Sequence, residues 1–173
     1  NGVISGTPTA PAAATVTVSA ADQFTNSGSA QFTWTVVAPG PPTVSGAALS
    51  GVKTRKAKLK FTISAGSNAP AVSSVTVSLP GGLSFARLKQ KTLAKSIKLT
   101  GASFKARFAG GRLTITFKRA TGRATVTISA TLLKVSGALA GKVSRHKVKR
   151  VTIDFRVLDA TGRPTSVAVR LKV

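Results

Sequence analysis

At 173 residues the chain has room for one large domain or two small ones, and its 42% apolar content excludes a disordered polycation, which could not bury a core. The formal net charge is +23, from 26 Lys and Arg against three acidic residues, with one His and neither Cys nor Tyr. That inventory excludes a disulfide framework, lacks the ligands of a zinc site, and offers too few carboxylates for calcium. Gly, Thr, Ser, Val and Ala predominate and long helical periodicity is missing, which predicts an all-β chain.

The chain opens with Asn1-Gly2-Val3-Ile4-Ser5-Gly6-Thr7-Pro8. In Thr15 to Val37, Val16, Val18 and Ala20 alternate with polar neighbours up to Asp22, and Phe32, Trp34 and Val36 return in the same rhythm. Period two on both sides of a break predicts strand, turn, strand. The opening resembles the Gly-x-Ile-x-Gly-Thr-Pro signature of the immunoglobulin-like, cadherin-like domains of bacterial surface proteins. That resemblance runs on to Val37, covers about the first 38 residues, and corresponds to the second half of such a domain. It implies an Ig-like β-sandwich fold and an extracellular or cell-surface setting. Some relatives bind calcium, from which this sequence departs in its few acids. The signature begins at the first residue, so the chain is expected to be a fragment or processed product of something longer.

Half a sandwich leaves an apolar face bare and its edge strands unpaired. Val16, Val18, Phe32, Trp34 and Val36 are therefore a candidate strand-exchange segment. Three arrangements satisfy them: the missing strands lie outside this sequence, another chain supplies them, or this half packs on the rest of the molecule.

Residues 39–44, PGPPTV, read as a proline-rich linker, extended and semi-rigid. Residues 45–173 follow as a second domain. Leu59, Phe61, Ile63 and Ala65 mark one strand, and Val75, Val77 and Leu79 another. Leu79-Pro80-Gly81-Gly82-Leu83-Ser84 is similar to the Leu-Pro-x-Gly-Leu-Ser segment of the same family, but no Gly-Thr-Pro follows, so this domain is a looser relative. Ser84 to Lys98 suits either a short helix or broken strands. Phe104 to Lys118 predicts a hairpin about Gly110-Gly111, with Phe104 facing Phe117, Ala106 facing Ile115 and Phe108 facing Leu113. Val126, Ile128, Ala130 and Leu132 predict a further strand, and Ala138 to Lys149 a basic loop. Val151 to Val173 predicts a closing hairpin that breaks at Asp159 and Gly162. About eight strands suggest a basic Ig-like β-sandwich preceded by a partial Ig-like unit.

The first 52 residues carry one charged side chain, Asp22; all 26 cations lie in Lys53–Val173, opposed by Asp154 and Asp159 alone. Asp22 and Asp159 occupy matching turn positions and read as Asx-turn residues. Asp154 is out of phase with Ile153 and Phe155, and His146 sits in a basic run. No nucleophile, base and orienter come together, so no enzyme, cofactor or metal is expected. The cations alternate with core positions and cover an outer face. Solubility needs a far smaller excess, so an anionic polymer is the expected partner: an envelope polymer, an acidic polysaccharide or a nucleic-acid backbone. Lys105, Arg107, Arg112, Lys118, Arg119, Arg145, Lys147, Lys149 and Arg150 are the candidate polyanion-binding residues. No apolar run is long enough to span a membrane. The expected role is a non-enzymatic bacterial surface or adhesive module. The alternative is a surface fibre or pilus subunit whose residues 1–38 complete a neighbour's β-sheet by strand addition.

Overall fold

The computed structural model describes residues 10–173 and divides the chain between Pro39 and Gly40. The Gly-Thr-Pro signature lies outside the described residues. In the first unit, β1 (Ala12–Ala21) pairs antiparallel with β2 (Ser27–Val36). Ala14 lies opposite Trp34, Val16 opposite Phe32 and Val18 opposite Ala30, so one face of the hairpin is apolar. Thr15, Thr17 and Ser19 meet Thr33, Gln31 and Ser29 on the other face.

The second unit contains, in chain order, β3 (Thr43–Ser50), β4 (Lys58–Ser64), β5 (Val72–Ser78), β6 (Leu83–Phe85), α1 (Gln90–Lys95), β7 (Ile97–Thr100), β8 (Phe104–Ala109), β9 (Arg112–Thr121), β10 (Arg123–Ile128), β11 (Leu133–Val135), α2 (Gly137–Ser144), β12 (Arg150–Asp159) and β13 (Pro164–Lys172). One sheet runs β3-β4-β10-β7, a second β13-β12-β5-β9-β8, and β6 pairs with β11 in a small third. Taking β3, β4, β5, β7, β10, β12 and β13 as strands A to G, the first sheet has the order A-B-E-D and the second contains G-F-C. That is the strand order of a constant-type immunoglobulin sandwich. The β8–β9 hairpin is inserted between D and E and extends the second sheet beyond C.

Inward positions of both sheets make one core. Leu59, Phe61, Ile63 and Val126 come from the first sheet, and Val75, Val77, Leu113, Ile115, Ile153, Phe155 and Val157 from the second; all are buried. The Phe61 and Phe155 rings meet between the sheets with centroids 4.7 Å apart. The hairpin about Gly110-Gly111 has the register the sequence predicts, from Phe104 opposite Phe117 to Phe108 opposite Leu113.

Three expectations change. The strand through Val126 stops at Ile128; Leu132 still reaches the core, from the turn that follows. Ser84 to Lys98 contains both of its alternatives, the end of β6 and then α1, with β7 beginning at Ile97. The basic loop is in part a helix. Ser136 caps α2 by accepting from the Leu139 N–H at 3.2 Å, and Leu139, Ala140 and Val143 are buried. Gly137, Gly141 and the cations around them dilute that apolar pattern below recognition. At the far end His146 has φ +56; its N–H bonds the Val143 carbonyl, and the Lys147 N–H bonds that of Lys142. These are the paired bonds of a Schellman cap, with a histidine in the left-handed position glycine favours. The body therefore has eleven strands and two short helices.

Truncating Phe155 to Ala is expected to cost about 3–5 kcal/mol, because the cavity opens between two sheets that cannot collapse independently. Truncating the exposed Phe24 should stay within about 0.5 kcal/mol. Urea unfolding followed by circular dichroism measures both.

Candidate functional site

All 26 Lys and Arg side chains are exposed. For the cations on strands the cause is parity: all but Arg119 sit one residue away from a core position, and successive side chains face opposite sides. On the outward face of β8 and β9, Lys105 lies beside Thr116 and Arg107 beside Thr114, with Arg112 opposite Ala109. Lys118 continues the alternation, and Arg119 falls where the pairing of β9 with β5 shifts register. At the other edge of this sheet Arg145 caps the end of α2, Lys147 and Lys149 follow in the loop, and Arg150 opens β12 opposite Lys172. An open cleft of about 560 Å³ is lined by His146, Lys147, Val148, Lys149, Arg150 and Arg170.

The nine sequence-derived cations thus form two groups at opposite edges of the five-stranded sheet. Between them stand Thr114 of β9 and Thr76 of β5, whose Oγ1 atoms are 3.0 Å apart, and then Arg156 of β12 opposite Thr76. Arg170 and Lys172 belong beside the second group and were not among the candidates. Their alternation with Leu171 places them outward, but only the β12–β13 register reveals that they stand next to Arg150. Arg55 has an internal partner, since its Nε donates to the Val135 carbonyl at 3.3 Å.

The carboxylates serve turns. Asp22 Oδ1 accepts from the N–H groups of Phe24 and Asn26, and Asp159 Oδ1 from those of Thr161 and Arg163. Both loops are closed by the same backbone bonds, and the fourth residue of each, Thr25 or Gly162, has positive φ. The two hairpins are thus built on one turn. Side-chain donation from Asn26, then the backbone, holds the Asp22 carboxyl below its ordinary range. The Thr161 hydroxyl does the same for Asp159, with smaller help from the Arg163 and Thr161 amides and the Arg163 charge. Asp154 is exposed on β12, between Ser78 and Ala168. His146 is exposed at its helix cap. Among the described residues no three His, Cys, Asp or Glu side chains gather, and no helix is long and apolar enough to cross a membrane.

The hairpin of the first unit presents the other candidate surface. Val18, Phe32 and Trp34 are 51%, 45% and 53% exposed on its apolar face. The Phe32 and Trp34 rings lie 6.5 Å apart, and Val16 and Val36 beside them are half-buried.

Residues 1–37 match the family described as Putative Ig domain. Among solved structures, the chain is similar to BcpA, the major pilin subunit of Bacillus cereus, at 10% identity and TM-score 0.46, over 91% of this chain and 47% of that one. It is also similar to ACE19, the collagen-binding subdomain of the Enterococcus faecalis surface protein ACE, at 9% identity and TM-score 0.37, over 67% and 88%. A third is a DUF4466 family protein from Parabacteroides merdae, at 10% identity and TM-score 0.44, over 76% and 44%. The chain spans less than half the length of the pilin and of the Parabacteroides protein. No curated protein is matched by the sequence.

The bonds at Asp159 predict a pH dependence. A carboxyl depressed in the fold stabilises it above the ordinary carboxylate pKa of about 3.9, and that contribution is lost as pH falls through the folded value. Asp159→Asn keeps the turn's acceptor and removes the titration. Its urea midpoint is therefore expected to fall less steeply than the wild type's below about pH 4.

Proposed function

We propose that the chain is a non-enzymatic, extracellular module of a bacterial surface protein whose body holds anionic polymers by charge. In this reading residues 1–38 are half of an Ig-like domain, residues 39–44 a linker whose last two residues already open β3, and residues 45–173 the cationic body. One observation carries it: every Lys and Arg is exposed on a body whose acids are Asp154 and Asp159. Such a concentration of one sign costs self-repulsion and exceeds what solubility requires, so it favours a partner of opposite sign.

The aromatic side chains define the kind of contact. Phe61, Phe85, Phe117 and Phe155 are buried, and Phe104 and Phe108 pack against the core. No aromatic ring of the body is fully exposed, which favours binding that reads charge along a backbone and not bases. The full chain is expected to bind phosphodiester or acidic-polysaccharide polymers with affinity falling by roughly three orders of magnitude between 50 and 200 mM salt, if about six anionic groups are engaged. Fluorescence titration across a salt series measures this, and the absence of binding to every polyanion at low ionic strength overturns it.

A second reading rests on the hairpin. Its apolar face, and edges that meet no third strand among the described residues, suit completion of a neighbouring subunit's sheet, which would make the chain a fibre or pilus subunit. Light scattering then gives assemblies that Trp34→Lys disperses. A wild type that stays monomeric at high concentration rules this out.

A further inference from the structure

We infer that the cleft beside α2, β12 and β13 is a binding site for a phosphodiester chain. This rests on the polyanion reading above and narrows it to one place and one chemistry. The register puts Arg150 directly opposite Lys172, and Thr152 opposite Arg170. Val151 and Leu171 are buried, so these four side chains share the outward face. Three of four neighbouring positions are cationic. Like charges directly across a ladder repel and weaken the pairing. The same two strands pair Asp154 with Ala168 and Arg156 with Ser166, so the ladder itself does not demand such opposition. Asp154 is the nearest carboxylate on this face, one row beyond Thr152 and Arg170.

The chain adds more charge from the other side. The Schellman bonds fix the backbone at His146 and Lys147, and the Lys149 carbonyl accepts from the Val173 N–H at 3.1 Å. The loop carrying Lys147 and Lys149 is thereby fastened at both ends, to the helix and to the end of β13. Cations therefore border the cleft from a strand face and from an anchored loop. A carboxylate offers its acceptors in one plane. A phosphate group offers them in several directions, which suits donors that converge from two walls. Four cations line the cleft, more than one singly charged group neutralises, so the ligand is a chain of such groups and not one anion.

The test uses the full chain. One variant combines Lys147→Gln, Lys149→Gln, Arg150→Gln and Arg170→Gln. A control removes the same charge from the outward face of the other sheet, by Lys58→Gln, Lys60→Gln, Lys98→Gln and Arg123→Gln. All eight side chains are exposed, and unchanged urea midpoints confirm folding. Each protein is titrated with poly(glycerol phosphate), with the oligonucleotide dT12 and with poly-glutamate of similar charge. The cleft variant is expected to lose at least about tenfold in affinity for the phosphodiesters, with a salt slope shallower by about 3, and the control to lose about threefold or less. The tighter of the two phosphodiesters identifies the source, an envelope polymer or a nucleic acid. Equal losses in both variants overturn the cleft while leaving charge-driven binding intact. Poly-glutamate bound as tightly as the phosphodiesters overturns the phosphate assignment. A wild type that binds none of the three overturns the underlying reading as well.

Discussion

The body depends on the closing of two sheets over one apolar layer, and the contact of Phe61 with Phe155 marks its centre. Each ring belongs to a central strand of its own sheet, with strands paired on both sides of it. Neither sheet is stable alone with such a face exposed, because sheet pairing without burial does not offset the entropy of ordering the chain. The same closure has to outweigh the mutual repulsion of the surface cations. Alternation makes this feasible: every strand residue that leaves the core layer is free to carry charge into water, where the dielectric weakens the repulsion. Core and charge are thus two readings of one period.

The inserted β8–β9 hairpin shows how the sandwich is enlarged without breaking its order. Strands A to G keep their neighbours, and the insertion lengthens the second sheet at its C edge. The hairpin supplies Ala106, Leu113, Ile115 and Phe117 to the core, so it is structural on its inner face. Its outer face carries Lys105, Arg107, Arg112 and Lys118. The glutamine of α1 ties to it, with Gln90 Nε2 donating to the Ala106 carbonyl at 2.7 Å, and Leu93 of the same helix is buried. A short helix thus braces an edge strand that would otherwise present open backbone groups.

Legibility in the sequence followed the strength of the period. The register of Phe104 to Lys118 was readable because six apolar residues and a Gly-Gly turn agree on one pairing. Both Asx turns were readable because an aspartate at a strand end has a local job that needs no long-range knowledge. The helix α2 was not readable, since its core face amounts to Leu139, Ala140 and Val143 between two glycines. The third small sheet was also hidden: three-residue strands such as Leu83–Phe85 and Leu133–Val135 show hardly any period, and only their pairing defines them. At the candidate site, sequence clusters gathered Arg145 to Arg150 but not Arg170 and Lys172. Those two lie about twenty residues further on, and adjacency across a ladder is a property of register, not of spacing along the chain.

The placement of the three carboxylates decides what the charge is free to do. Asp22 and Asp159 each commit Oδ1 to donors within their own turns, which holds them as turn formers. That leaves Asp154 as the one carboxylate standing outward on a sheet face of the body. A protein that balanced its charge internally would scatter acids among its cations, as ordinary surfaces do. Here the strand positions opposite and beside the cations are Thr, Ser and Ala, and at Arg150 another cation. Neutralisation must therefore come from outside, either as a diffuse cloud of small ions or as one polymer that releases them. On the proposed reading the polymer prevails on entropy, because each contact frees condensed counterions.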